Sequence, residues 1–243
     1  MGFADTPIHN MPIYPVVDAA RYLHIPLGTL RVWLNGRTYK TKDGQQFSKP
    51  LIQRPNLDCS KFPSANLIKK QLSFTNLVEA HVLRVIREDH KIKLDRVRTA
   101  LDYIEDTLGI PHPLASARFE TDGMDLFLDT IETFINVSRS GQLAMKKILK
   151  DLLTRIEWDE KGIATRLSPI VYSPNREEVG RLLYIDPRIS FGRPTIAGTG
   201  IPTDVIVSRY NGGDEIEAIA DDYNCTPDQV YAAIWFEESC LAA

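Results

Sequence analysis

Thirteen residues near the C-terminal end, GRPTIAGTGIPTD (Gly192–Asp204), hold three glycines and two prolines ahead of a helical pattern. Glycines so placed can bare backbone N–H groups to a phosphate. The spacing does not support that chemistry. A GxxxxGK[ST] loop needs glycine five residues after Gly192, where Ala197 stands. Gly198 and Gly200 open a GxG pattern, but Thr203 stands where the third glycine of a dinucleotide fingerprint belongs. Asp221-Asp222 lie in a helical stretch and not in a βαβ unit, so no ribose partner follows. The stretch is expected to supply turns and a helix start.

Other reactive side chains are equally unorganised. His9, His24, His81, His90 and His112 are scattered, with no HExxH spacing, and GxSxG is absent. His81 and His90 read as surface or boundary residues of helices. Asp221-Asp222 and Glu237-Glu238 are neighbours on helices and point in different directions, so they read as solvated faces. Cys59, Cys225 and Cys240 form no CxxC pair. No catalytic residue, metal site or cofactor is expected, and the chain reads as a non-enzyme.

Charge is more informative. Residues 1–100 carry 16 Lys and Arg against 8 Asp and Glu, and residues 101–243 carry 13 against 24. Such polarity suggests that the first half meets a polyanion and the second does not. A hydrophobic content of 43% and a charged content of 25% are those of a soluble globular chain. No apolar run approaches the roughly 18–20 residues of a membrane span. MGFADTPIHNMPIY has neither the basic nor the apolar region of a signal peptide, so a cytoplasmic protein is expected.

The elements that carry this charge come in three regions. Residues 14–36, YPVVDAARYLHIPLGTLRVWLNG, read as helix, tight turn, helix, with the proline of HIP as the break. KDGQ then supplies a hairpin turn, giving a wing that carries Arg37, Lys40, Lys42 and Lys49. Phe74, Val78, Val82 and Val85/Ile86, then Leu94, Val97, Leu101, Ile104 and Leu108, are the stripes of two core helices. GIPHP marks a boundary, predicting a first domain over 1–110. An α+β linking region follows over 111–180, with hairpins expected around DG in ARFETDGMDLFLDT and in RIEWDEKGIATRL. A C-terminal domain over 181–243 begins with short β pieces, and Thr226-Pro227-Asp228-Gln229 opens its last helix as a capping box. The fold class is mainly α (α+β): a winged helix–turn–helix, a small α+β linker and a three-helix unit with a β-hairpin.

The two helix–turn–helix stretches superimpose at an offset of 200, Ala20, Leu23, Ile25, Leu30 and Leu34 matching Ala220, Tyr223, Cys225, Val230 and Ile234. Their charges differ. Residues 14–37 carry Arg21, Arg31 and Arg37 against Asp18 alone, whereas residues 214–238 carry eight acidic groups and no lysine or arginine. Duplex DNA, with one negative charge per ~1.7 Å of axis, would repel the second copy. The first is expected to read DNA and the second to contact protein.

The first copy with its wing, YPVVDAARYLHIPLGTLRVW followed by SFTNLVEAHVLRVIREDHKIKLDRVRTAL, resembles the winged helix–turn–helix of MerR-type regulators. That resemblance puts Thr29, Arg31 and Trp33 on the recognition helix and implies Arg31 near DNA, with a wing residue such as Arg37 or Lys40 on the backbone; Arg21 and Lys42 complete the expected DNA-binding set. The family's GL…P…R…Y order after Trp33 is absent here. The pattern YIDP…GRP.I.GT.IP…GGD..EAIA.DY..TP.QV..AI.FE, over Tyr184–Glu237, resembles an antitoxin-associated domain of formerly unknown function. Gly200 stands where that family has arginine, and Arg193 is the neighbour that could replace it.

Together the halves resemble the antitoxin of a VapBC-type pair. This implies a homodimer that binds operator DNA, represses its own operon and neutralises a PIN-domain ribonuclease. An acidic metal pocket in such a toxin would take a cation, so Arg188, Arg193 and Arg209 are the toxin-binding candidates. The alternative is a stand-alone MerR-like transcriptional regulator whose central region senses a ligand.

Overall fold

The computed structural model describes residues 6–41, 44–56, 70–90, 94–134, 139–175 and 177–241. Helix α1 (Val16–Tyr22) and helix α2 (Leu27–Asn35) form the first helix–turn–helix. Antiparallel strands β1 (Arg37–Thr41) and β2 (Gly44–Ser48) form the wing, with Arg37 opposite Ser48 and Lys40 opposite Gln45. Helices α3 (Phe74–His90) and α4 (Leu94–Leu108) follow, and their periodic apolar residues Phe74, Val78, Val82, Ile86, Val97 and Ile104 are buried.

The DG sequence in ARFETDGMDLFLDT does not make a hairpin. Phe119–Gly123 is a single π-helical turn that runs into α5 (Met124–Phe134). Phe119, Met124, Phe127 and Leu128 recur at helical spacing and are buried, so core packing overrides the local turn signal. A side chain at Gly123 would meet the Phe119 ring at 3.1 Å. Helix α6 (Arg139–Leu153) packs on α3 and leads into β3 (Ile156–Trp158) and β4 (Ala164–Leu167), the second hairpin expected from the sequence.

The four-stranded antiparallel sheet has the order β3-β4-β7-β8, with β7 at Leu183–Ile185 and β8 at Pro194–Ile196. A separate ribbon pairs β5 (Val171–Tyr172) with β6 (Glu178–Val179). Helices α7 (Thr203–Asn211), α8 (Ile216–Asp222) and α9 (Pro227–Leu241) complete the chain. Buried apolar residues fall into two clusters, one reaching from Tyr14 to Ile185 and the other from Val171 to Cys240. The first cluster runs through the GIPHP break, because α5 packs on α4 across it.

The offset of 200 holds at the level of individual hydrogen bonds. Ile25 N–H donates to Ala20 C=O and Cys225 N–H to Ala220 C=O, both at 2.9 Å. His24 and Asn224 both take the left-handed conformation, each at φ 50°. That residue turns the corner in both units, although only the first has proline two residues later. The reading of proline as the break is thus corrected: the stop is the left-handed residue, a role asparagine fills readily and histidine tolerates. The capping box forms as expected, Thr226 N–H donating to Gln229 Oε1 at 3.0 Å and Gln229 N–H to Thr226 Oγ1 at 3.3 Å.

Candidate nucleic-acid interface

Helix α2 has one face in the core through Leu30, Trp33 and Leu34, none more than 3% exposed. This packing turns Arg31 outward to solvent, with Thr29 half-buried beside it. Trp33 is therefore not a surface contact: its indole is part of the core, and its carbonyl accepts N–H groups from Leu51 at 2.7 Å and Ile52 at 3.1 Å. A residue two positions from Arg31 points elsewhere on a helix, so the expectation of both on DNA is corrected for Trp33. Its role is to fix α2 against the chain that returns from the wing.

Arg37 and Lys40 are exposed on β1. Three residues apart on a strand, they project from opposite faces of the wing. Tyr39 and Phe47 are exposed aromatic residues on the same ribbon. Lys42 lies outside the described residues.

Arg21 faces the C-terminal unit. It donates to Glu237 Oε2 at 3.2 Å and lies 3.8 Å from Asp18. His24 Nε2 is 2.7 Å from Ser239 Oγ, and its ring meets Phe236 edge-on at 5.8 Å. Cys240 Sγ donates to Arg21 C=O at 3.2 Å. The N-terminal end of α2 is thus left open, while the turn between α1 and α2 is covered by α9.

The acidic copy is arranged otherwise. Gln229, at the position matching Thr29, donates its amide to Ala197 C=O at 2.9 Å, so the start of α9 is held by the GRPTIAGTGIPTD stretch. In that loop Gly192, Gly198 and Gly200 all have positive φ, as the turn reading required. The N–H groups of Ile196, Ala197, Thr199, Gly200 and Ile201 all have acceptors within the chain. No row of free amides remains there for a phosphate.

The three candidate toxin-binding arginines are engaged within the chain. Arg188 forms a two-pronged pair with Asp186 at 2.9 and 2.7 Å. Burial alone would raise the Asp186 carboxyl, but the hydrogen bonds and charge of Arg188, with Arg166, hold it below the usual carboxylate range. Arg193 pairs with Asp204 at 3.0 Å. Arg209 bridges Asp214 at 2.5 Å and Asp222 at 2.6 Å and lies over the Tyr223 ring at 5.4 Å. The side chains of Arg188 and Arg193 still reach solvent, 52% and 45% exposed. The Arg193–Asp204 pair joins separate elements and has no local signal in the sequence, whereas Asp186 and Asp214 lie close along the chain to Arg188 and Arg209.

His81 is not a boundary residue. It is 2% exposed, its Nε2 has no partner among the described residues, and burial together with Arg84 and Arg155 pushes its pKa down to about 3. Among the described residues, no cluster of His, Cys, Asp or Glu could hold a metal ion. No described helix is long and apolar enough to cross a membrane.

Known proteins resemble this chain over the same regions. Residues 12–101 match the family described as "Putative DNA-binding HTH domain", and residues 184–236 match "Protein of unknown function (DUF433)". The chain is 28% identical over 238 residues to "Putative antitoxin VapB45" of Mycobacterium tuberculosis (strain ATCC 25618 / H37Rv), covering 93% of both chains. It is 24% identical over 251 residues to "Uncharacterized protein Rv2308" of the same strain, covering 94% of this chain and 91% of that one. The crystal structure of Rv2018 from Mycobacterium tuberculosis shares the fold, with a TM-score of 0.64 at 23% identity over 92% of this chain and 98% of that one. The chain is thus similar, along nearly its whole length, to a protein named as an antitoxin, and its basic half matches a DNA-binding domain family.

Proposed function

We propose that this protein is the antitoxin of a type II toxin–antitoxin pair, which represses its own operon and neutralises a PIN-domain ribonuclease. The observation that carries the DNA-binding part is the position of Arg31, exposed on a helix whose opposite face is locked into the core. In this reading α2 enters the major groove, Thr29 and Arg31 face the bases and phosphates, and Arg37 or Lys40 anchors the wing on the backbone. A MerR-like homodimer would set two such helices on two half-sites. Arg21 serves the joint between the two units. The antitoxin part draws on the similarity to the named antitoxin and on the opposite charge of the second unit. Residues 181–243 would hold the toxin or the dimer, and Arg188 and Arg193 are the cations still accessible to an acidic pocket.

The test has two arms. Operator binding is measured at two salt concentrations for wild type and Arg31→Ala, where a shallower salt slope in the variant supports the assignment and equal slopes count against it. This reading places a PIN-domain ribonuclease in the same operon, and co-expression with it should yield a stable complex without nuclease activity. An active nuclease that elutes alone would remove the antitoxin part. The second reading, a stand-alone regulator with a ligand-sensing central region, is favoured by one observation, a cavity lined largely by residues 148–181.

A further inference from the structure

A cavity of about 540 Å³ opens between α3, α6 and the β5–β6 ribbon. That volume lies within the range of small-molecule sites. Val85, Ile148, Leu152 and Ile170 supply apolar wall, and half-exposed Tyr172 supplies a ring at the edge. Three guanidinium groups, Arg84, Arg155 and Arg181, line the same space with two carboxylates, Asp151 and Glu178.

The cations are unevenly compensated. Arg155 is 9% exposed and in direct contact with Glu178. Arg181 donates to Thr154 Oγ1 at 2.6 Å and meets no carboxylate among the described residues. Burial and the nearby charge of Arg181 both disfavour the charged form of Arg155. Behind them His81 is held neutral, so it adds no charge that an incoming anion would have to share with it. An anion in this cavity would relieve the Arg155–Arg181 repulsion and gain two planar donors suited to phosphate oxygens.

We propose that this cavity is an effector site for an organic phosphate bearing a planar ring, of the class of a nucleoside diphosphate. Arg155 and Arg181 take the phosphates, and the ring lies against Tyr172 and Ile170. The site has a direct link to the first helix–turn–helix. Arg84 Nη1 donates to the Leu23 carbonyl, which ends α1, at 2.7 Å. A phosphate that draws Arg84 toward the cavity competes with that carbonyl and alters the turn that sets α2. This link to DNA rests on the function proposed above, whereas the binding itself does not.

Calorimetric titration of the full chain with ADP, GDP and UDP, each alone, tests the site, with adenosine and pyrophosphate as the two halves of one ligand. At least one diphosphate is expected to bind with Kd below 1 mM, an affinity equivalent to about −4.1 kcal/mol. Adenosine and pyrophosphate should each bind at least about tenfold more weakly, and Arg181→Ala should weaken the diphosphate by about tenfold or more, the range of a lost charge-assisted hydrogen bond. Arg181 is exposed and outside both cores, so its replacement leaves the fold intact. The absence of any diphosphate binding below 1 mM, or wild-type binding by Arg181→Ala, overturns the site. Operator affinity unchanged by saturating ligand overturns the link through Arg84. Failure to bind operator without ligand overturns the DNA-binding reading and leaves the titration result standing.

Discussion

Glu237 on α9 accepts from Arg21 on α1 at 3.2 Å and from Thr203 Oγ1 at 2.5 Å. One carboxylate thereby ties the basic helix–turn–helix, the start of α7 and the acidic helix–turn–helix together. Glu237 is 12% exposed on its side chain, against 38% for Arg21. Glu237→Ala should therefore destabilise the chain by about 1–3 kcal/mol, since it takes the short acceptor from the buried Thr203 hydroxyl and leaves it only the Pro194 carbonyl at 3.4 Å. Arg21→Ala should cost under about 1 kcal/mol, the range of an exposed pair. Urea unfolding of both variants and of the double variant measures the difference, and equal costs would show that burial of Glu237 is not what matters.

Arg31 and Trp33 separate surface from core on one helix. Arg31→Ala should leave stability within about 0.5 kcal/mol of wild type and lower the salt slope of operator binding by about 1. Trp33→Ala should lose about 3–5 kcal/mol of stability by opening the core. Because Arg37 and Lys40 project from opposite faces of the wing, only one of their alanine variants should change the salt slope. A slope lowered in both would mean that the wing binds edge-on.

Gly192 closes the approach of the β7–β8 connection to the N-terminal unit. It sits at φ +76°, and a Cβ there would lie 2.3 Å from the Tyr14 hydroxyl oxygen. Tyr14 is 2% exposed, and two of its ring carbons would also lie 2.7 and 3.1 Å from that Cβ. Gly192→Ala should cost about 2–4 kcal/mol, backbone strain and overpacking together. Gly198→Ala, at φ +82° with open space around it, should cost only about 1 kcal/mol of backbone strain. Thermal unfolding of the pair distinguishes the two costs.

Acid sensitivity follows from His24 and His81. Burial, with the charge of Arg84, pushes His24 down to about 4, and burial with Arg84 and Arg155 pushes His81 down to about 3. Both folded values lie below the ordinary histidine value, so the unfolded chain takes up protons first as pH falls. Their stabilising effect is complete above about pH 6.5 and is lost as pH drops, down to about 4 for His24 and about 3 for His81. His112, raised by its hydrogen bond to Glu79, is protonated in both states over most of that window and adds little slope. Stability should fall by about 2 kcal/mol per unit between pH 6 and 5. His24→Asn, which copies Asn224 of the second unit, should remove about half of that slope in urea titrations.

Much of this architecture was legible in the residues alone. Period-3.6 stripes located α2, α3 and α4, the capping box located α9, and the offset of 200 predicted two units built alike, to which the structure adds a shared left-handed corner residue. Charge separated the units, because a side chain's sign does not depend on where the chain carries it. These features are local, set by spacing within one or two turns of chain, and a sequence displays them directly.

Tertiary packing decided the rest. It turned ARFETDGMDLFLDT into a helix by burying Phe119 and Phe127, and gave Arg193 its acidic partner Asp204 from another element. It set Arg21 against Glu237, 216 residues away, and brought Arg84, Arg155 and Arg181 around one cavity. No spacing in the chain encodes such meetings. They arise from elements far apart in sequence that share one buried surface, where desolvation makes each charge require a partner.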